Sequence, residues 1–272
     1  MITELFSIGP ISISPFGVML VAALVSAYIQ LWREMQRLGI GNEDDASSIT
    51  VTCGLMGILG GKIYYAILYE DLRLIFDRSG IVWYGCFILG LVAFLWKVRS
   101  RKLPLKRTLD AAAPALAVGY GVGRIGCFLV GDDYGRPTDL PWGMVFKNGL
   151  PKTTAGNLRG FGYDIPSDVA DSAWVAVHPT QIYESVLGFL IWGMILWFGR
   201  KMMPAPGVTF MVGVILLSIE RFGIEFLRAK DDRFFEPFTV AQVISVVIVV
   251  VASVFAMRWW EKAPASSHQA LR

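Results

Sequence analysis

The sequence predicts an all-α polytopic membrane protein: seven transmembrane helices, with a small extracytoplasmic cap between the fourth and fifth. Three observations carry this. Hydrophobic residues make up 54% of the 272 positions and charged residues only 17%, which is too apolar for a water-soluble domain. Apolar runs long enough to cross a hydrocarbon core of about 30 Å recur near residues 15–32, 48–69, 81–97, 111–130, 179–199, 206–227 and 238–257. Finally, the basic residues between these runs are unequally shared between the two faces.

Taken in order, the first run follows MITELFSIGP, which has no positive n-region and no small-residue cleavage site, so no removable signal peptide is expected. The second contains GGKIYY and the third opens at IVWYGCFILG. Between the third and fourth lie Lys97, Arg99, Arg101, Lys102, Lys106 and Arg107; Arg200 and Lys201 follow the fifth, and Arg258, Lys262 and Arg272 follow the seventh. All fall on one face, which the positive-inside rule makes cytoplasmic, with the N-terminus outside and the C-terminus inside. The opposite face is mixed: Asp71, Arg73, Asp77 and Arg78 in one loop, Arg228, Lys230, Asp231, Asp232 and Arg233 in another.

The one long connection, Gly131 to Val177, carries Trp142, Phe146, Phe161 and Tyr163, and a loop of this length and aromatic content is expected to fold. The chain then divides into 1–130 (helices one to four), 131–177 (cap), 178–260 (helices five to seven) and a cytoplasmic tail, 261–272.

A net charge of +3, with basic residues in short clusters, gives no nucleic-acid surface. Cys53, Cys86 and Cys127 lie in apolar runs without CxxC spacing or nearby histidines, so neither a disulfide nor a metal site is expected. No internal repeat suggests a transporter.

Charges inside the apolar runs are the informative residues. Lys62, Arg124 and Arg221 come 14, 13 and 15 residues into their runs from the cytoplasmic end, hence roughly 20 Å up a helix of 1.5 Å rise. Three cations at one level need carboxylates, carbonyls, water or an anion. Arg221 and Glu225 share a helix face, and Glu184 is placed to pair with another cation. Two readings follow: ion pairs that glue the bundle, or a surplus of positive charge that holds a lipid phosphate, for which guanidinium forks are well shaped. Lys62 either snorkels to the interface or touches substrate.

Several stretches together resemble the prolipoprotein diacylglyceryl transferase family: SIGPISISPFGVM at 7–19, GGKIYY at 60–65, GRIGCF and GDDYGRPT within 123–138, HPTQIYE at 178–184 and ERFGIEFLR at 220–228. The resemblance implies an enzyme of the bacterial inner membrane that moves a diacylglyceryl group from phosphatidylglycerol to the thiol of a lipobox cysteine in a prolipoprotein signal peptide. Products are a thioether and glycerol phosphate, and no metal or soluble cofactor is required. By motif match, Arg124 and Arg221 hold the phosphate and take up its growing charge, and Glu225 orients the second arginine. Asp132 falls where the family usually has Glu, and Gly135 where a glycine lets the turn approach the headgroup.

Three matched positions depart from the family pattern. Tyr84 stands at the histidine of an HGG motif proposed as the base for the acceptor thiol, whose thiolate is the nucleophile. Cys127 replaces an asparagine and Phe16 a tyrosine. Tyr84 is then a base, a headgroup ligand or an interfacial anchor. His178 is a base or a residue that fixes the loop. The departures leave two other functions open: a non-catalytic relative that binds anionic lipid or a lipoprotein partner, and a transferase with a different acceptor or donor.

Overall fold

The computed structural model describes residues 5–8, 11–76, 80–199, 205–229 and 238–261. Strands β1 (Phe6–Ile8) and β2 (Ile11–Ile13) pair antiparallel, Phe6 opposite Ile13, ahead of the helices. Helix α1 (Pro15–Leu38) starts sharply because Ser14 accepts a hydrogen bond from the Gly17 amide at 3.1 Å and proline occupies the first turn, where its missing N–H costs nothing. Gly39, with φ +65°, closes it. Helix α2 (Glu43–Leu68) starts in a reciprocal cap: Asn42 and Asp45 each accept the other's backbone N–H.

Helices α3 (Trp83–Ser100) and α4 (Leu105–Val130) follow. The short α5 (Ala155–Gly160) lies in the long connection, and α6 (Thr180–Met194) runs into a π-helical turn, Ile195–Gly199. Helices α7 (Val208–Ile224) and α8 (Val240–Glu261) complete the bundle. Helices α1, α2, α4 and α8 are long and apolar enough to cross a membrane. The polar ends of α1, α2 and α4 extend beyond the apolar runs, because caps and not hydropathy set where a helix stops.

Helix α4 is the hub, packing on α1, α6 and α7; α2 packs on α3, and α7 on α8. The α2–α3 seam is held by glycine against glycine. A Cβ on either Gly60 or Gly85 would overlap the carbonyl of the other, so the two backbones touch directly. Outward positions are strongly apolar, including Val51, Leu55, Phe87, Ile88, Val92, Val247, Val250 and Val251. Such a surface suits lipid tails and would be an aggregation patch in water.

The connection 131–177 is folded. Tyr134, Phe146, Leu158 and Val177 form a buried cluster that takes in Ala229, beyond the end of α7. Isolated bridges tie Gly135 to Arg228, and both Pro137 and Met144 to Val177. Burial pushes the Tyr134 phenol up to about 12.

Asp110 near the start of α4 is buried, and its two carboxylate oxygens accept from the amides of Gly207 (2.6 Å) and Phe210 (3.0 Å). It caps α7 from a neighbouring helix. Arg101 in the α3–α4 turn pairs with Asp44 and Asp45. Asp77, Arg78, Arg200, Lys201, Lys230, Asp231, Asp232, Arg233, Lys262, His268 and Arg272 lie outside the described residues, as does the tail from 262 onward.

Candidate functional site

The charges meet where α4, α6 and α7 come together. Arg124 projects from the last two turns of α4. Its Nη1 is 3.1 Å from Asp133 Oδ2 and its Nη2 is 3.1 Å from Glu184 Oε1 on α6. Arg228, just past α7, places Nη2 2.6 Å from Asp133 Oδ1 and Nη1 3.7 Å from Glu184 Oε1. Arg221 Nη2 is 2.7 Å from Glu225 Oε2, and that oxygen is 3.8 Å from Arg228 Nε. Arg124, Arg228, Arg221 and Asp133 all act electrostatically on Glu184, so the two arginines marked by the motifs belong to one network.

The backbone explains how Asp133 reaches both guanidiniums. Helix α4 ends on Gly131 with φ +73°, and two residues later Asp133 itself is left-handed, φ +60°. Aspartate tolerates that conformation better than most residues with a side chain. The reversed turn is then pinned to the start of α6: Thr180 Oγ1 donates to the Asp133 carbonyl at 2.8 Å and Gln181 Nε2 to the Asp132 carbonyl at 2.6 Å.

The sequence count leaves a surplus of positive charge, yet each of the three guanidiniums meets at least one carboxylate. Asp133 and Glu184 are remote from Arg124 in sequence and are delivered by the turn and by α6. Among the described residues, Arg221 nonetheless keeps a buried Nη1 without a hydrogen-bond partner. Gly135 is also closely packed by the protein itself. A Cβ there would lie 2.5 Å from the Leu227 carbonyl oxygen and 2.7 Å from His178 Cβ and Thr180 Cγ2. Its amide donates to the His178 carbonyl at 2.8 Å, and its strand pairs with Arg228.

Cys127 lies beside the network, its Sγ 3.9 Å from Arg124 Nη1. Asp132 turns its carboxylate to the Asp133 amide at 2.8 Å, so the acid that meets Arg124 is its neighbour. Phe16 packs near Gly126, one residue before Cys127. The ring of His178 shares a hydrogen bond with the Tyr183 hydroxyl at 3.3 Å, which accepts from Trp142 Nε1 at 2.8 Å. Burial lowers the pKa of His178. Tyr84 and Lys62 belong to the α2–α3 pair. The Tyr84 ring is 42% exposed, with Tyr64 and Trp83 as its aromatic neighbours, and Lys62 is half-buried.

Asp133, Arg228, Tyr120 and Glu220 are members of the site that the sequence reading passes over. Tyr120 sits one turn before Arg124, beneath its guanidinium at 5.3 Å from ring centroid to Cζ, and bonds to both Glu184 and Glu220. The available signal was spacing: Tyr120 is four residues before Arg124, and Glu220 adjoins Arg221.

An apolar helical bundle with a paired arginine network at the root of a folded connection defines a multi-pass membrane protein with a buried polar network between its helices. The chain belongs to the prolipoprotein diacylglyceryl transferase family, whose sequence model matches residues 3–258. It is 31% identical over 255 residues to a phosphatidylglycerol–prolipoprotein diacylglyceryl transferase of Clostridium tetani, covering 91% of this chain and 93% of that one. Proteins of the same name from Geobacter sulfurreducens (28% over 253 residues, 88% of each chain) and Clostridium perfringens (number 2 of that species; 30% over 247 residues, 88% of each) are also similar. The resemblance read from the motifs is thereby borne out.

Proposed function

We propose that this chain transfers the diacylglyceryl group of phosphatidylglycerol to the lipobox cysteine thiol of a prolipoprotein. A sulfur–carbon bond forms at the glycerol carbon, its bond to the phosphate oxygen breaks, and glycerol phosphate leaves with the electron pair. The observation that carries the reading is Arg221 Nη1, a buried donor with no hydrogen-bond partner among the described residues, in a network already rich in charge. A phosphate oxygen is the acceptor that would satisfy it, with Arg124 alongside to take up charge as the phosphate departs. Glu225 holds Arg221 in place at 2.7 Å.

Asp132, Gly135 and His178 shape the floor of the site, with Cys127 and Phe16 on its α1–α4 side. Tyr84 and Lys62 are assigned to substrate contact from α2–α3; Tyr84, in its phenolate form, is the proposed acceptor of the thiol proton, since the neutral phenol has no place for it. In the topology that accompanies this reading, α1, α2, α3, α4, α6, α7 and α8 are seven spans of the bacterial inner membrane. Residues 131–177 form an external cap, the N-terminus lies outside and the C-terminus inside. The basic residues flanking the α3–α4 turn support that orientation.

The deciding experiment mixes purified protein, labelled phosphatidylglycerol and a lipobox peptide, and reads the mass of the peptide. A diacylglyceryl gain on cysteine supports the proposal. The carboxylate on every guanidinium favours one rival, a lipid-binding relative without activity; headgroup binding with no product would establish it. Glycerol phosphate release without peptide modification would point to another acceptor.

A further inference from the structure

The Tyr120 hydroxyl is shared by more acceptors than its single proton serves. Its oxygen lies 3.2 Å from Glu184 Oε1, 3.1 Å from Glu220 Oε1 and 3.2 Å from Glu220 Oε2. Glu184 is fully buried and Glu220 only 8% exposed. Were both carboxyls ionised, the phenol would donate to one and face the other oxygen to oxygen with no hydrogen between, an unsatisfied contact that burial makes costly.

Glu184 repels an ionised Glu220 while Arg124 and Arg221 attract it, so the count of charges decides. The groups facing this trio are Arg124 from α4, Arg221 from α7, and Asp133 and Arg228 from the segments beyond α4 and α7. Three guanidiniums are matched by Asp133, Glu184 and Glu225. Among the described residues no ion pair joins Glu220 to a cation.

We propose that Glu220 carries a proton and donates it to the Tyr120 oxygen, so that the Tyr120 O–H points at Glu184. Glu220 is then a positioning residue: through Tyr120 it fixes the Glu184 oxygen that receives Arg124 Nη2. Loss of its proton reverses the chain, because Tyr120 turns to the new carboxylate and Glu184 loses a donor. No proton is consumed at rest; the relay only sets the direction of two hydrogen bonds.

The part of this inference that concerns activity rests on the transferase reading, so the first test is independent of it. Infrared difference spectra of the detergent-purified protein, wild type minus Glu220→Gln, at neutral pH should show the C=O stretch of a protonated carboxylic acid, shifted in D2O. A band that is missing, or unchanged by the substitution, overturns the assignment whether or not the protein transfers lipid. The second test follows transfer against pH. Wild-type kcat should fall on the alkaline side, and Glu220→Gln, which keeps a donor for Tyr120, should lose that fall whatever its rate at neutrality. Glu220→Ala should drop kcat at least tenfold with KM little changed, and Tyr120→Phe should uncouple the pH profile from residue 220. Identical pH profiles for wild type and Glu220→Gln would overturn the relay.

Discussion

Asp133 Oδ1 lies 2.6 Å from Arg228 Nη2, which joins the turn that ends α4 to the segment that leaves α7. The other oxygen of the same carboxylate is on Arg124. One side chain therefore couples the two arginines and the folded connection 131–177 to the bundle.

Removing that carboxylate should matter more than removing its neighbour. Asp133→Asn leaves two guanidiniums short of a partner, and breaking a buried pair typically costs about 3–5 kcal/mol. Because Asp133 is 18% exposed, a loss near the lower end is expected, with transfer abolished. Asp132→Asn keeps an oxygen to accept the Asp133 amide and leaves both Asp133–guanidinium pairs in place, so it is expected to be the milder change. Thermal unfolding in detergent alongside the transfer assay checks the order; an equal effect of the two would contradict the geometry.

Arg124→Ala should abolish transfer while the protein still accumulates in the membrane. Arg221→Lys keeps the charge but loses the fork that spans Glu225 and the open position, so activity should fall at least tenfold. Full activity in either variant would remove phosphate binding at this network.

Gly135→Ala is expected to be severe for a packing reason. The added methyl meets the Leu227 carbonyl and the His178 and Thr180 side chains at once, and overpacking of this kind costs about 1–3 kcal/mol. Both stability and activity should fall, since the same strand carries the pairing to Arg228. A drop in activity with unchanged stability would instead favour direct headgroup contact at Gly135.

The Asp110 cap offers a test far from the chemistry. Asp110→Ala leaves the Gly207 and Phe210 amides unpaired and should destabilise the protein by about 1–2 kcal/mol, with transfer at low temperature retained. Unfolding midpoints measured against Asp71→Ala, which removes a cap from an exposed turn, provide the comparison.

His178 predicts a pH effect on stability. Burial lowers its pKa below the ordinary value of about 6.5, so the unfolded chain binds the proton more readily. The stability linked to the neutral ring is complete above that ordinary value and is lost as pH falls through the lowered one. His178→Gln should therefore flatten the acid-side decline in unfolding midpoint; an unchanged decline would assign it to other groups.

How much of this was legible in the chain differs from residue to residue. Apolar runs of about 20 residues announced the helices, and IERFGIEFLR placed Arg221 and Glu225 on one face, because helical spacing is local. HPTQIYE drew attention to Glu184, but not to the cation it serves. Asp133 was hidden beside Asp132 because the choice between them depends on a left-handed backbone two residues beyond Gly131. Tyr84 was marked as base, headgroup ligand or interfacial anchor only through a motif; in the fold its ring lies against Tyr64 and Trp83.

The sequence by itself determined the class, an apolar helical bundle carrying the arginines and acids of one family, since hydropathy and motif spacing are properties of contiguous residues. Tertiary structure alone decided which acid meets which arginine, that Gly135 is packed against Leu227 and His178, and that Tyr120 stands between two carboxyls. Those outcomes depend on distances of about 3 Å between residues up to a hundred positions apart, and no local pattern encodes such a distance.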